Sequence, residues 1–497
     1  MASKTRSQRT YNLGIDLGTS SVKAILASED GSETRAASAP CSIDRPLPGR
    51  AEADPARWWD AIVEAVVSLD IAAANIRAIG ISVLYPALIL FDDRMQPIRP
   101  AILYCDQRAA AESEELLERY GEARARALTG SAFPAGTAAI TSLIWLNRHE
   151  PQNIRRMARL GLANTFVVHK LTGEFVVDYS NASLSGLYDT AKNEWSEELC
   201  EQGEIARNAL PRALPGGSVA GRLSDSAAEE LGLPAGLPVA AGAGDVVCSA
   251  LGIGIAEESE LFVSCGSTNC FAGLSTEPAF DNGLVNTSYL DDRTWINIGS
   301  TSTSGAAIDW FVDNYLGPGD YERFFALCQA ASPGAGGVIF LPYLAGERTP
   351  LYDPRARAMF FGMTLSTALA DTARSVAEGV CFADRHIMET FERNGGKIER
   401  ILAAGGGTRN ELMRRLRADI TGREIVYSGL SDVSALGAAL LGGIAGGSYA
   451  DWREAAAIAR RIGKFTLATP DMAAHRSYDS SYRTYKELYP RVKDLFG

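Results

Sequence analysis

The chain has 497 residues, 46% of them hydrophobic and 22% charged, with a net charge of −12. That length exceeds the ~250–300 residues that a single core supports, so two domains are expected. The acidic balance argues against a nucleic-acid or anionic-membrane partner, and no run approaches the ~18 apolar residues of a membrane span. The eight cysteines show no C-x-x-C pair and no zinc-ligand spacing, which points to reduced thiols and a cytoplasmic protein. The polar, basic start MASKTRSQRT lacks the apolar core of a signal peptide and reads as a frayed tail.

In chain order, the stretch 11–31, YNLGIDLGTSSVKAILASEDG, sets two short apolar runs on either side of Gly18, Thr19, Ser20 and Ser21. It reads as a β-hairpin, with Asp16 interrupting the first run and Lys23 lying in the second. A hairpin turn needs only Gly, Asn or Asp. The extra hydroxyls and the lysine suit phosphate oxygens, as do backbone N–H groups freed at such a turn. A polar turn on an edge hairpin, with Asp16 merely solvated, is the alternative. A third strand is expected within 33–43. Asp54 followed by Pro55 then starts an amphipathic helix carrying Trp58, Trp59, Ile62 and Val66.

Residues 76–90 read as two strands around Val83, Leu84, Tyr85 and Pro86. The strand 101–104 ends in Cys105, Asp106, Gln107 and Arg108, ahead of a charged helix over 109–120. Polar groups at such a strand end face ligands in α/β folds; capping the helix is the other role open to Asp106. Helices are expected over 137–150, ended by Pro151, and over 164–171, 196–209 and 224–232, with 178–183 a loop crowded with hydrogen-bonding groups. The segment 237–254, LPVAAGAGDVVCSALGIG, combines a strand, a glycine turn and an apolar helix. Asp245 at its entry is either the N-cap or a ligand-facing base, for which Gly242 and Gly244 leave open space.

The second half repeats the logic of the first. Residues 260–270, ELFVSCGSTNC, are again a strand, a turn of Gly266, Ser267 and Thr268, and a return strand. A strand over 295–298 leads into a hydroxyl-rich turn over 299–303. Two hydroxyl-bearing hairpins, paired with Asp16 and Asp245, suggest a duplicated ATPase core, although Gly/Ser/Thr turns also arise by chance. After an apolar strand at 338–343, a Glu347–Arg348 ion pair is expected to hold a loop between domains. A long helix over 367–394 stops at Gly395 and Gly396. The strand 401–404 runs into Gly405, Gly406 and Gly407, with Asn410 ahead of a helix starting near Glu411. Glycines between a strand and a helix N-terminus let a flat ligand or a phosphate approach the backbone. Residues 434–447 read as a small-residue helix packed closely inside a domain, and the remainder as a helical, partly exposed tail.

Five of these segments, GIDLGTSSVKA, GAGDVVCSALGIG, SCGSTN, FFGMTLSTALADTARSVAEGV and AAGGGTRN, lie in this order between residue 13 and about residue 447. On them the sequence resembles the FGGY carbohydrate kinases of the actin/hexokinase/heat-shock-chaperone ATPase superfamily. The resemblance implies an α/β protein of two ribonuclease-H-like (actin-like ATPase) domains, mixed sheets flanked by helices, with a cleft between them. The division expected is 10–248, for the sugar and the first phosphate loop, and 249–497, for the nucleotide and the second. Asp245 matches the general base and would touch the substrate; Asp16 matches the carboxylate that holds Mg2+. Thr19 and Ser20 on one side, and Gly266, Ser267 and Thr268 on the other, would surround the phosphates of ATP. Gly405, Gly406, Gly407 and Asn410 would border the adenosine, and Asp106 resembles a carboxylate that binds sugar hydroxyls.

The chain departs from its relatives at 83–87. Xylulokinases usually show Gly-Gln-Met-His-Gly there and glycerol kinases Asn-Gln-Arg-Glu-Thr, whereas this chain offers only the Tyr85 side chain as a polar substrate contact. Ser142 stands where a lysine usually precedes the family's Trp, here Trp145. The loop YLAGERTPLYDP leans towards the xylulokinases. The expected activity is ATP- and Mg2+-dependent phosphorylation of a small sugar or polyol, most nearly a ketopentose such as xylulose, with a homodimer as the expected assembly. The competing readings are a chaperone-like or filament-forming ATPase without a sugar substrate and a catalytically idle sugar sensor. No Walker A pattern is present.

Overall fold

Four apolar side chains in Thr10–Leu17 and five in Ser21–Ser28 are arranged so that almost the whole hairpin is buried. Such strands belong at the centre of a sheet covered on both faces. That is where the computed structural model places them. It describes residues 9–69, 75–278, 280, 283–394, 396–430 and 432–496; most of the N-terminal tail and the helix stop expected at Gly395 lie outside these.

Two seven-stranded mixed sheets share one plan. In the first, Thr10–Leu17 pairs antiparallel with Ser21–Ser28, which pairs antiparallel with Thr34–Pro40. On its other side lies the parallel strand Asn75–Val83, which in turn is joined in parallel by Pro238–Ala240 and Ala243–Gly244. In the second, Glu260–Cys265 pairs antiparallel with Asn269–Ser275 and that with Trp295–Ser300. Arg400–Ala404 and then Ile425–Ser428 continue in parallel on the other side. The repeat expected from the two glycine-hydroxyl turns is therefore a repeat of whole sheets, in strand order and in direction.

The two sheets meet through the helices Asp245–Ile253 and Val433–Ala445. One hydrophobic cluster runs from Ile25 and Ala27 on the first sheet, through Leu251, Leu436 and Leu440, to Ile296 on the second. The small-residue helix packs closely, as its composition suggests, but not against its own half alone. It also lies against the first sheet, close enough that a methyl at Gly80 would fall 1.7 Å from the Ala438 carbonyl oxygen, and one at Gly14 2.2 Å from that of Ala435. Its contact with the other helix is as tight: a methyl at Gly437 would fall 1.8 Å from the Cys248 carbonyl oxygen. Glycine at these positions is a requirement of space.

Most elements form where the pattern places them, including the helix Pro55–Val67 with Asp54 as its N-cap. Four differ. Residues 178–183 are not a loop: Asp178 caps the short helix Tyr179–Leu184. The helix expected over 196–209 ends at Gln202, before Gly203, a poor helix former. Trp295–Ser300 outruns its expected end because Gly299 and Ser300 still pair with Phe271 and Cys270. The C-terminal segment is helical and partly exposed, as expected, but it is no loose tail. Phe465–Ala468 closes the edge of the second sheet, and the helix Met472–Val492 buries Tyr478, Tyr482, Tyr485 and Leu488, whose three- and four-residue spacing puts them on one face.

Candidate active site

Asp16 lies next to the last residue of a central strand, and the parallel register sets it opposite Ser82. Ser82 Oγ donates to Asp16 Oδ1 at 2.7 Å, and Ser434 Oγ, from the first turn of Val433–Ala445, donates to Oδ2 at 2.5 Å. Asp16 is 6% exposed. Burial pushes its carboxyl up from the ordinary range, against the two hydroxyls and the nearby Lys23 charge. The solvated alternative for Asp16 does not hold.

Asp245 is the first residue of Asp245–Ile253, and Gly244 occupies the N-cap position. The capping role is thus taken by a residue without a side chain, and among the described residues the Asp245 carboxylate is hydrogen-bonded by the Val246 amide alone. Burial in the cleft, then the charge of Asp16, push it up to about 7. Asp16 and Asp245 line one cavity of about 280 Å³, together with Gly18, Lys23, Gly405 and Ser434. A larger recess of about 500 Å³, beside Tyr343, His386 and Tyr485, contains neither carboxylate and neither hydroxyl turn, so size does not mark the site.

Thr19 and Ser20 sit at the tip of the first hairpin, and among the described residues neither hydroxyl has a protein partner. Ser267 and Thr268 are exposed at the tip of the second. The Gly266 and Ser267 carbonyls of that turn accept N–H groups of Ser304, Gly305 and Ala306, which fixes it against the start of Gly305–Tyr315. Lys23 Nζ is 2.8 Å from Asp432, so its charge is paired within the protein rather than held free for a phosphate. Gly405, at φ +102, adopts a conformation that side chains disfavour, and a methyl there would meet the Cys265 carbonyl at 2.5 Å. Gly406 faces open space, and Gly407 packs against Cys265. Asn410 uses its side chain to cap Glu411–Thr421.

Asp106 is not the cap of the following helix, whose N-cap is Ala109. Its buried oxygens accept the Ala51 and Arg108 amides and the Arg108 guanidinium, at 2.6 to 2.9 Å. Burial works to raise this carboxyl, but these donors outweigh it and hold it below the usual range. Arg108 in turn lies over the Trp145 ring. Tyr85, 8% exposed, backs Gly244, and its hydroxyl has no partner among the described residues. Burial and then Asp245 push that hydroxyl up. The expected Glu347–Arg348 ion pair is replaced by hydrogen bonds: Glu347 Oε1 accepts the backbone N–H groups of Ser302 and Arg348, both at 2.7 Å. Sequence reasoning missed Ser82 and Ser434. The parallel register of the strand ends would have found the first; nothing local marks the second.

The pattern of the FGGY family of carbohydrate kinases, N-terminal domain, matches residues 11–252, and that of its C-terminal domain matches 261–446. The chain belongs to the FGGY family of carbohydrate kinases. It is 31% identical to the xylulose kinase of Escherichia coli strain K12, over 98% of this chain and all of that one. The gluconokinase of Bacillus subtilis strain 168 is 27% identical, over 97% of this chain and 94% of its own length. The crystal structure of xylulose kinase from Rhodospirillum rubrum superposes with a TM-score of 0.89 at 29% identity, covering 98% of this chain and 99% of that one. The fold is therefore the two-domain actin-like one, and the carbohydrate kinase transfers phosphate from ATP to a hydroxyl of a small sugar. These full-length matches do not favour the chaperone-like or filament-forming alternative. No described helix is long and apolar enough to cross a membrane.

Proposed function

We propose that this FGGY kinase phosphorylates a ketopentose such as xylulose, with Asp245 as general base and ATP bound with Mg2+. The observation that carries the reading is the single cavity lined by both Asp16 and Asp245, with Gly18 of the first hydroxyl turn and with Ser264 and Cys270 of the strands that flank the second. Xylulose kinases that match end to end support the ketopentose. The lobes are 10–248 and 249–497, although the helix Asp245–Ile253 runs through that boundary. A homodimer in the cytoplasm completes the proposal; eight unpaired cysteines suit that compartment.

Asp245 accepts the proton of the attacking hydroxyl as its oxygen bonds to the terminal phosphorus and the bridging oxygen of ADP departs. Such a transfer asks mainly for positioning and charge neutralisation. Thr19 and Ser20 face the phosphates from one lobe, and Gly266, Ser267 and Thr268 from the other. Lys23 joins them on leaving Asp432, while Gly405, Gly406, Gly407 and Asn410 border the adenosine, where Gly406 leaves room for a flat ring. Asp16 fits Mg2+: two hydroxyl donors orient its oxygens, and Mg2+ usually takes one or two carboxylates beside phosphates and waters. When bound, Mg2+ neutralises charge on the transferring phosphate. Tyr85 contributes a hydroxyl that has no partner among the described residues, and Asp106 shapes the sugar side through Arg108.

A coupled ADP assay over ketopentoses, polyols and aldonates tests the proposal. Ketopentose-dependent turnover is expected to dominate, and aldonate preference would overturn the substrate assignment. The base must be ionised to act. With its carboxyl at about 7, kcat/KM for the sugar should rise roughly tenfold per pH unit below that value and level off above it. A profile flat from pH 5 to 8 would mean that another group takes the proton.

A further inference from the structure

The backbone that leads into Asp245 is held by buried polar side chains that form no part of the cavity. Asn164, in the helix Ala163–Thr172, donates from Nδ2 to the Ala241 carbonyl at 2.7 Å and accepts the Asp178 N–H at Oδ1 at 3.2 Å. Ser180 Oγ accepts the Gly244 N–H at 2.9 Å and donates its own proton to Asp178 Oδ1. Asp178 completes its shell with the Asn181 amide at 3.0 Å and Asn181 Nδ2 at 2.6 Å. Asn164 and Ser180 are 0% exposed and Asp178 is 1% exposed. Both ends of 241–244 are thus tied to one residue, Asp178, the first through its main-chain N–H and the second through its carboxylate.

The residues in between have no slack. Gly242, at φ +85, gives its N–H to the Gly216 carbonyl at 3.0 Å, and a methyl on it would meet the Ile81 carbonyl at 2.7 Å. A methyl on Gly244 would lie 2.4 Å from the Tyr85 ring. Burying three polar side chains is unfavourable unless each is satisfied, and an apolar contact would serve stability as well. What the polar bracket adds is a fixed backbone position one residue before the base.

We propose that Asn164, Asp178 and Ser180 are positioning residues that hold the Asp245 carboxylate at the place where it takes the hydroxyl proton. The proposal rests on the reading of Asp245 as that base. Misplacement of a reacting group by about 1 Å costs on the order of a hundredfold in rate. Ser180→Ala leaves the Gly244 N–H without its acceptor, and kcat is expected to fall roughly 10- to 100-fold. KM for ATP should stay at the wild-type value, because the turns at 18–20 and 266–268 are untouched. Ser180→Cys, close in shape but a weaker acceptor, should fall between the two.

The measurement is steady-state kinetics on the full chain with ATP and the acceptor that turns over fastest in the panel above, normalised to folded protein. Hydrogen exchange over 241–250 accompanies it, and faster exchange is expected in Ser180→Ala. A role in stability alone would lower the melting temperature and leave kcat per folded molecule unchanged. Turnover within about twofold of wild type in both Ser180 variants overturns the proposal. Asp245→Asn, measured alongside, separates the two readings. If it is inactive while the Ser180 variants are normal, only the bracket is refuted; if it is active, the base assignment falls first.

Discussion

Asp245→Asn should fold, bind ATP and lose nearly all sugar-dependent ADP release. Asparagine has almost the same shape and stands at the same first helical position, but its oxygen does not take a proton at neutral pH. The substitution also removes a negative charge that faces Asp16 in a shared cavity, so no loss of stability is expected. A positioned base contributes ~10²–10⁴-fold, which is ~3–5 kcal/mol of barrier at ~1.36 kcal/mol per decade. If the interaction acts only in the transition state, kcat and kcat/KM fall together. Coupled ADP release with and without sugar, beside a nucleotide-binding titration, gives the answer. Full activity would refute the assignment.

The second large effect is expected in the second half of the chain. Asp384, fully buried in Leu369–Arg393, accepts from Arg417 Nε and from Asn269 Nδ2, both at 2.7 Å. Asn269 directly follows the second hydroxyl turn, so this ion pair also anchors that turn. Asp384→Ala leaves the buried Arg417 charge uncompensated, at a cost of about 3–5 kcal/mol. Denaturant midpoints should fall accordingly, and KM for ATP should rise as the turn loosens. Combining Asp384→Leu with Arg417→Met removes both charges and should recover most of the stability, since apolar replacement of a whole buried pair is often neutral. A single variant as stable as wild type would mean that Arg417 finds another partner.

Much of this was legible in the chain because the signals are local. Two apolar runs split by Gly18, Thr19 and Ser20 can hardly be anything but a hairpin, and the same pattern at 260–270 announces the second sheet. Asp245 was harder. Its two readings differ by one residue of helix boundary, which a sequence does not resolve; the structure gives the cap to Gly244. For Asp106 the capping alternative could not be dismissed from the sequence, because its partners include Ala51, 55 positions earlier. Ser434 meets Asp16 across 418 positions, and no spacing rule reaches that far. For another reason, the buried face of the last helix was not singled out. Tyrosine is at home in water and in a core, so a face of tyrosines carries less weight than one of leucines would.

The contact between the helix Val433–Ala445 and its neighbours has a mechanical consequence. Where glycine meets main chain, as at Gly80 and Gly437, no knobs are keyed into holes, and a small rotation disengages no rotamers. Such a seam works as a pivot. Ser434 sits in the first turn of this helix with its hydroxyl on Asp16, so swinging one lobe on the other would also turn the carboxylate proposed above to hold Mg2+, gearing closure to the readiness of the site.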